Sequence, residues 1–384
     1  MRSWWREVGL QGLRDGGGFV ILALFASELS GGSMPVTSGP VTLYLGPATL
    51  GAPDDLEAPI LDFIAAAQDE LLISVQELDH RPIAEALIAA RRRGVAVRVI
   101  LEQDYLREAR PPEGDSLGSY EVNRELLSEI LRASVDAKAD YNPAIFHQKF
   151  IVRDRVALLT GSTNFTTTGV TKNLNHLAVI EDAVVAREYA REFAQIRKGI
   201  FGKRSLETPR KPLEGHVVGG VRLKPLFAPD HVPEMEFIKQ MIKAKTRIDF
   251  AAFTFAQSSG IDDALVNARH KGLAVEGVLD RRQANQSWAA KDTLLAGGVR
   301  LHQNRTGTGV RKIHHKLMVI DDSLTIIGSF NYTAPANLTN DENIMVLGDL
   351  DLPDGAARTA QQKLAEYARR EIERIISDQG EVIG

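Results

Sequence analysis

Apolar residues recur at two periods along the chain. LEAPILDFIAAAQD (56–69) and RPIAEALIAARRRG (81–94) repeat them at helical spacing. Each is followed by a short apolar run of strand length, ELLISVQEL (70–78) and VAVRVILEQD (95–104). The same succession returns as MEFIKQMIKAK (235–245), TRIDFAAFTFA (246–256), GIDDALVNARHKG (260–272) and LAVEGVLDRR (273–282). Gly94 and Gly272 stand where a helix C-terminal glycine belongs, each just before an apolar strand. Helix alternating with buried strand predicts an α/β layered fold in both halves.

A second pattern fixes the relation between the halves. FHQKFIVRDRVALLTGSTNF (146–165) and IHHKLMVIDDSLTIIGSFNY (313–332) share seven identical positions, six of them forming H-x-K-x4-D-x6-G-S-x-N. The chain therefore contains itself twice. The predicted organisation is an N-terminal extension (1–40), a first half (41–201) with an insertion at about 105–145, a basic, Pro-containing linker (202–214), and a second half (215–384) ending in an amphipathic helix near 355–377. The insertion reads as a gate over the site.

Each repeated segment predicts a β-hairpin. Alternation puts His147 and Lys149 on one face and Phe150 and Val152 on the other. A two-residue turn at Asp154 and Arg155 then sets His147 opposite Ser162 and Lys149 opposite Thr160, with Asn164 following, and His314 opposite Ser329 in the second copy. One face is polar and the other enters the core. An imidazole, an ammonium, a hydroxyl and a carboxamide suit an anion with several oxygens, and a phosphodiester is the natural guest. Gly161 and Gly328 allow close backbone approach. Lysine beside histidine repels a cation, so no metal and no other cofactor is expected. Two facing clusters supply what one lacks. One histidine attacks phosphorus, the other protonates the leaving oxygen and then activates water.

Composition constrains the partner less than the motif does. The net charge of −4 gives no global polycation, so any phosphate-binding surface is local. The chain has no cysteine, which excludes disulfides and thiolate metal sites and fits a cytoplasmic protein. The apolar run FVILALFA (19–26) after Arg2, Arg6 and Arg14 has some signal-peptide character, which keeps export as the alternative; a short docking helix, or a start at Met34, are the other readings.

Two H-x-K-x4-D-x6-G-S-x-N motifs in one chain resemble the phospholipase D superfamily, over about residues 41–350. That resemblance implies a mixed β-sheet flanked by helices in each half, pseudo-twofold, with the site between the halves and no required metal. It implies His147 and His314 as nucleophile and acid, with His147 the nucleophile by analogy. Lys149, Lys316, Asn164 and Asn331 are implied phosphate ligands, aided by Ser162 and Ser329. Asp154 and Asp321 complete the catalytic motif, as turn or outer anchors. Family members place a carboxylate downstream to orient a histidine. Glu342, in NDENI, fills that place in the second half, but Asn175, in NLNHL, stands there in the first. The two histidines are therefore expected to differ, with Glu181 or Asp182 as alternative partners in the first half.

The superfamily spans nucleases, phospholipases and phospholipid synthases. GSFNYT with NDEN, and the basic pairs Arg281–Arg282 and Arg311–Lys312, favour a metal-independent nuclease acting on DNA or RNA. A phospholipase D or phosphatidyltransferase acting on phospholipid is the alternative, and a non-catalytic binder working through a protein partner is the third reading. The run Arg91–Arg93 reads as a solvated helix end. Trp4, Trp5 and Trp288 read as packing residues rather than base-stacking platforms. His315 falls on the face opposite His314 and reads as peripheral, while His176 and His302 are undecided. Gln76, Glu77 and His80, like Thr254, Phe255 and Gln257, end strands that feed the site.

Overall fold

The computed structural model describes residues 35–106, 118–353 and 355–383, apart from the side chains of 118–120. The apolar run at 19–26, Trp4, Trp5 and the centre of the insertion lie outside the described residues. The predicted strands resolve as β1 Val36–Ser38, β2 Val41–Gly46, β3 Glu70–Val75, β4 Ala96–Leu101, β5 Asp136–Ala139, β6 Lys149–Arg153, β7 Ala157–Gly161 and β8 Asn173–Ile180. The second half supplies β9 His216–Val218, β10 Val221–Ala228, β11 Arg247–Ala252, β12 Ala274–Leu279, β13 Arg300–Asn304, β14 Lys312–Ile313, β15 Lys316–Ile320, β16 Leu324–Gly328, β17 Glu342–Leu347 and β18 Gly380–Val382.

The strands form two mixed sheets, ordered β1-β2-β8-β7-β6-β3-β4-β5 and β18-β13-β12-β11-β15-β16-β17-β10-β9. Eight strands correspond one to one between them. β14 leaves its own half and pairs in parallel with β8 of the first sheet, Lys312 against Asn173. Strand β5 is the counterpart of β13, so the end of the predicted insertion is a parallel edge strand paired with β4. The preceding helix, Gly118–Arg132, buries Leu126 and Ile130. Deleting 105–145 would remove core, contrary to its reading as a gate only.

The hairpins differ from expectation by one residue. Phe150, not Lys149, is opposite Thr160, and Met318 pairs with Ile326. The first turn holds three residues, closed by Val156 N–H on the Arg153 carbonyl at 3.0 Å, with Asp154 and Arg155 at φ 50° and 54°. Both faces of each hairpin are buried. Phe150, Val152 and Leu158 pack with Leu317, Val319 and Ile327 of the other half, together with Tyr189, Phe193 and Leu364 from helices Ala183–Arg197 and Ala356–Arg374. Ile151 and Leu159 pack outward beneath helices Glu57–Ala65 and Arg81–Arg92. The polar groups therefore do not share a sheet face. They collect at the strand ends, His147 just before β6 and Ser162 just after β7.

Asp154 and Asp321 lie at the opposite ends of those strands, seven residues from the histidines, a span of roughly 20 Å. Asp154 accepts from the amides of Gln68, Asp69 and Glu70 at 2.8–3.0 Å. Asp321 accepts from the amides of Lys245, Thr246 and Arg247 and from the Thr246 hydroxyl. Their place in the catalytic set is corrected to a turn anchor, because every oxygen is spent on backbone far from the site. These amide donors hold the Asp154 carboxyl below the usual aspartate range, so its stabilising contribution is present at neutral pH and is lost as pH falls through that depressed value. Asp321→Ala is expected to cost about 2 kcal/mol of stability and to leave kcat within about threefold, since surface and fold contacts act on ΔG rather than on the transition state. Urea denaturation and initial rates on the same preparation measure both.

Candidate active site

The site is built by exchange between the halves. The backbone N–H of His147 bonds the Asp341 carbonyl at 2.9 Å, and that of His314 bonds the Leu174 carbonyl at 2.8 Å, so each motif enters its strand along the other half's. The side chains cross in the same way. His147 Nδ1 lies 2.6 Å from Glu342 Oε2, and His314 Nδ1 lies 2.8 Å from Asn175 Oδ1. Counting within one copy placed Glu342 and Asn175 correctly downstream of the motifs; each in fact serves the histidine of the other half. Glu181 instead pairs with Arg153, and Asp182 caps the helix Ala183–Arg197 and binds His216, so neither replaces Asn175.

The motif serines complete these pairs. Ser329 Oγ donates to Glu342 Oε2 at 2.6 Å, and Ser162 Oγ donates to Asn175 Oδ1 at 2.8 Å. Each hydroxyl accepts in turn from a backbone amide, Asn343 N for Ser329 and His176 N for Ser162, both at 3.0 Å. The donor directions are thereby fixed. Oxygen acceptors at both Nδ1 positions put the ring protons there and leave each Nε2 to the site. Gly161 and Gly328 are needed for close approach of strands, not of ligand. A Cβ on either would lie 2.2 Å from a carbonyl oxygen, of His176 and Asn343 respectively.

Lys149 Nζ and Lys316 Nζ each donate 2.8 Å to the carbonyl of their own motif histidine. Beyond that the halves diverge. Lys149 also reaches Gln76 Oε1 at 3.2 Å, whereas Lys316 and Lys312 stand over the Phe253 ring at 5.0 and 5.2 Å. That ring in turn packs 4.8 Å from the ring of His314. The motif amides are poorly satisfied. Oδ1 of both Asn164 and Asn331 is buried without a partner. Such orphans suit a guest that brings its own polar atoms. Behind this layer, Gln148 and Asn343 bond across the halves at 2.8 Å, and His315 and His176 do so at 3.2 Å. His176 Nε2 accepts the Gly328 amide at 3.0 Å, so His176 and the fully buried His315 are core partners that hold the motif loop. The peripheral reading of His315 is corrected accordingly.

The remaining candidates separate cleanly. Arg311 and Lys312 lead directly into His314, and among the described residues neither has a carboxylate within ion-pair distance. Arg281 is engaged with Asn304 and Glu381, and His302 with Glu276. Arg91 and Arg93 bind carbonyls of Ser134 and Ala65. His80 is held by Thr167 and Glu57. Trp288 is exposed beside Gln257, whose amide bonds its carbonyl at 3.0 Å. Two buried carboxylates that the sequence did not single out hold the motif entries. Glu102 accepts the Phe146 amide at 2.6 Å, and Asp280 accepts the Ile313 amide at 3.1 Å.

Burial, with the nearby lysines, pushes both His147 and His314 well below the ordinary imidazole range. Burial raises Glu342 to about 8, against the pull of Lys149 and Lys316. Burial lowers Lys149 to about 7, against Glu342, Glu77 and Glu102. This gives a pH prediction. Lys149 loses its charge as pH rises through about 7, and a bound phosphate restores the charge by attraction. Activity toward a phosphodiester at low concentration is therefore expected to fall above pH 7, through KM, while kcat at saturation holds to higher pH. Parallel decline of both would argue against Lys149 as the binding charge.

Comparison with known proteins agrees with this geometry. The sequence matches the family described as cardiolipin synthase, PLD-like domain, over residues 60–197 and again over 237–372. A phospholipase D of Rickettsia felis is 31% identical over 130 residues, covering 34% of this chain and 58% of that protein. A mitochondrial cardiolipin hydrolase of Chlamydomonas reinhardtii is 31% identical over 113 residues, covering 29% of this chain and 49% of that protein. The chain thus spans less than two thirds of the length of these curated relatives. Among solved structures, the phosphatidylserine synthase of Haemophilus influenzae Rd KW20 superposes with a TM-score of 0.62 at 13% identity, over 91% of this chain and 89% of that one, which shows a common fold. With the motif, its crossed partners and the fold repeated in both halves, the chain belongs to the phospholipase D superfamily, as a tandem pair of PLD-like domains.

Proposed function

We propose that this chain cleaves or exchanges the phosphodiester of a phospholipid headgroup through a phosphohistidine. The observation that carries the chemistry is the crossed pairing of His147 with Glu342 and His314 with Asn175. His147 Nε2 attacks phosphorus and the bond to the leaving alcohol breaks, while His314, which enters the step as an imidazolium because the bound phosphate anion favours its charged form, gives its Nε2 proton to the departing oxygen. His314 then takes a proton from water, the resulting hydroxide attacks phosphorus, and the P–N bond breaks to free His147. Glu342 stabilises the positive ring that His147 becomes when phosphorylated. Asn175 orients His314 without stabilising its cation, which suits a ready proton donor. Lys149 and Lys316 face the charge on the non-bridging oxygens.

The choice of lipid is supported by the family's description and by relatives named for phospholipid and cardiolipin cleavage. It reverses the preference that the flanking sequence suggested. The nuclease reading retains one observation, the unpaired Arg311 and Lys312 beside His314, which would suit a polyanionic strand. Incubation with phosphatidylglycerol and phosphatidylcholine vesicles, plasmid, single-stranded DNA and RNA, each with EDTA, separates the readings. Headgroup release that survives EDTA is expected. Nucleic-acid cleavage without lipid turnover would reverse the substrate, and silence on all of them would favour a binder that acts through a partner.

A further inference from the structure

The segments that lead into the two motif histidines are equivalent by the pseudo-twofold and opposite in chemistry. Each histidine is preceded by a parallel bridge to the other half, Phe146 with Asp341 and Ile313 with Leu174. On that correspondence Lys312 takes the place of Ile145, and the helix Thr167–Thr171, followed by Lys172, takes the place of Ala334–Leu338.

One rim is apolar. Tyr141 is 76% exposed, Ile145 48% and Leu338 51%. They come from two segments that Asn142 ties together, its Nδ2 donating 3.3 Å to the Thr339 carbonyl and 2.8 Å to Asp341 Oδ2. The Asp341 amide donates 3.1 Å to the Ile145 carbonyl. These segments run on into His147 and Glu342, so the exposed side chains stand just ahead of the site. The other rim is cationic. Lys172 and Arg311 are exposed and joined by the Arg311 amide on the Lys172 carbonyl at 2.9 Å, with Lys312 half-buried beside them. Among the described residues none of the three has a carboxylate within ion-pair distance.

An exposed leucine on its own needs no account. Three large apolar side chains at one entrance, across from three unpaired cations, do. A nucleic-acid strand would engage the cations and leave Ile145 and Leu338 in water. A phospholipid surface engages both, because its phosphates attract the cations and its acyl boundary takes the apolar side chains. The depth of the histidines points the same way. His147 and His314 are 6% and 5% exposed, so a diester held in a bilayer reaches them only when the entrance is laid against the headgroups.

Resting on the phospholipid reading above, we propose that the two rims form a docking surface for an anionic phospholipid bilayer, with Tyr141, Ile145 and Leu338 entering the acyl boundary while Lys172, Arg311 and Lys312 hold headgroup phosphates.

The test separates docking from chemistry. Full-length protein carrying His147→Ala, which does not consume the lipid, is floated with vesicles of equal parts phosphatidylglycerol and phosphatidylcholine. Binding is expected, and should weaken by about tenfold or more on pure phosphatidylcholine or in high salt. Replacing Tyr141, Ile145 and Leu338 together by serine should weaken it by about ten- to a hundredfold, and Lys172→Gln by about fivefold. With His147 intact, the triple serine variant should cleave dihexanoyl phosphatidylglycerol below its micelle concentration at the wild-type rate and lose activity only on vesicles. Bis(4-nitrophenyl) phosphate reports that the variant is folded with working histidines. Unchanged vesicle binding in the triple variant would overturn the inference, while cleavage of the monomeric lipid keeps the phospholipid reading. A lipid-free dimer that the triple variant dissolves, with vesicle binding unchanged, would assign the apolar rim to a second copy of this chain and overturn it likewise. Retention of single-stranded DNA, with vesicles unbound and the monomeric lipid uncleaved, would overturn both.

Discussion

Replacing His314 by asparagine is expected to leave phosphate on His147. The two half-reactions make different demands on the second histidine. With bis(4-nitrophenyl) phosphate the leaving nitrophenolate needs no proton, so attack by His147 proceeds. Hydrolysis of the adduct then lacks the base that activates water, and turnover should fall by about 10³- to 10⁴-fold. The expected result is a burst of nitrophenol near one equivalent of protein, followed by a near-stationary phase. An acid-labile, base-stable 4-nitrophenyl phosphoryl group should map to the peptide containing His147. His147→Ala should give no burst and lose on the order of 10⁵-fold in rate, since it removes the covalent route itself. Label on residue 314 in the wild-type enzyme, or a burst in His147→Ala, would reverse the assignment of roles.

The residues behind this prediction were legible for a plain reason. Twofold repetition of H-x-K-x4-D-x6-G-S-x-N cannot come from packing alone, and the strand period sorts its members by distance from the histidine. Asp154 could be set apart from His147 by that alternation before any coordinates, and the amides on its carboxylate agree. What escaped was whatever depends on a turn or on the other half. A single left-handed pair, Asp154 and Arg155, lengthened the turn and moved the register by one residue. Burial of both hairpin faces follows from the packing of two sheets against each other, which no single strand pattern contains. The crossing of Glu342 to His147 is a property of the pseudo-twofold axis, and counting along one copy cannot reveal it. His176 was undecided and His315 read as peripheral because a buried pair and a site pair differ in sequence only by where the partner lies. Glu77 read as one more strand-end residue. Only the structure sets it against Thr254, which occupies the equivalent place without a charge.

The crossing also makes the roles of the two histidines movable. Glu342→Gln removes the carboxylate from His147 but keeps a group able to accept from its Nδ1. The adduct's positive ring then has a neutral partner, as His314 has in Asn175, and kcat/KM is expected to fall by about 10- to 100-fold, the usual cost of losing such a partner. Ser329, which donates to Glu342 at 2.6 Å, still finds an oxygen, so the variant should remain folded. Adding Asn175→Asp places a carboxylate on His314 with Ser162 as its donor, in the geometry the second half now uses. In the double variant His314 becomes the ring whose cation is stabilised. Phosphate trapped from a 4-nitrophenyl ester should then divide between residues 147 and 314, or move to 314, because an activated leaving group frees either histidine to be the nucleophile. If the label stays wholly on His147, the asymmetry of the site lies elsewhere, and the Gln76–Phe253 difference between the two lysines becomes the place where direction is set.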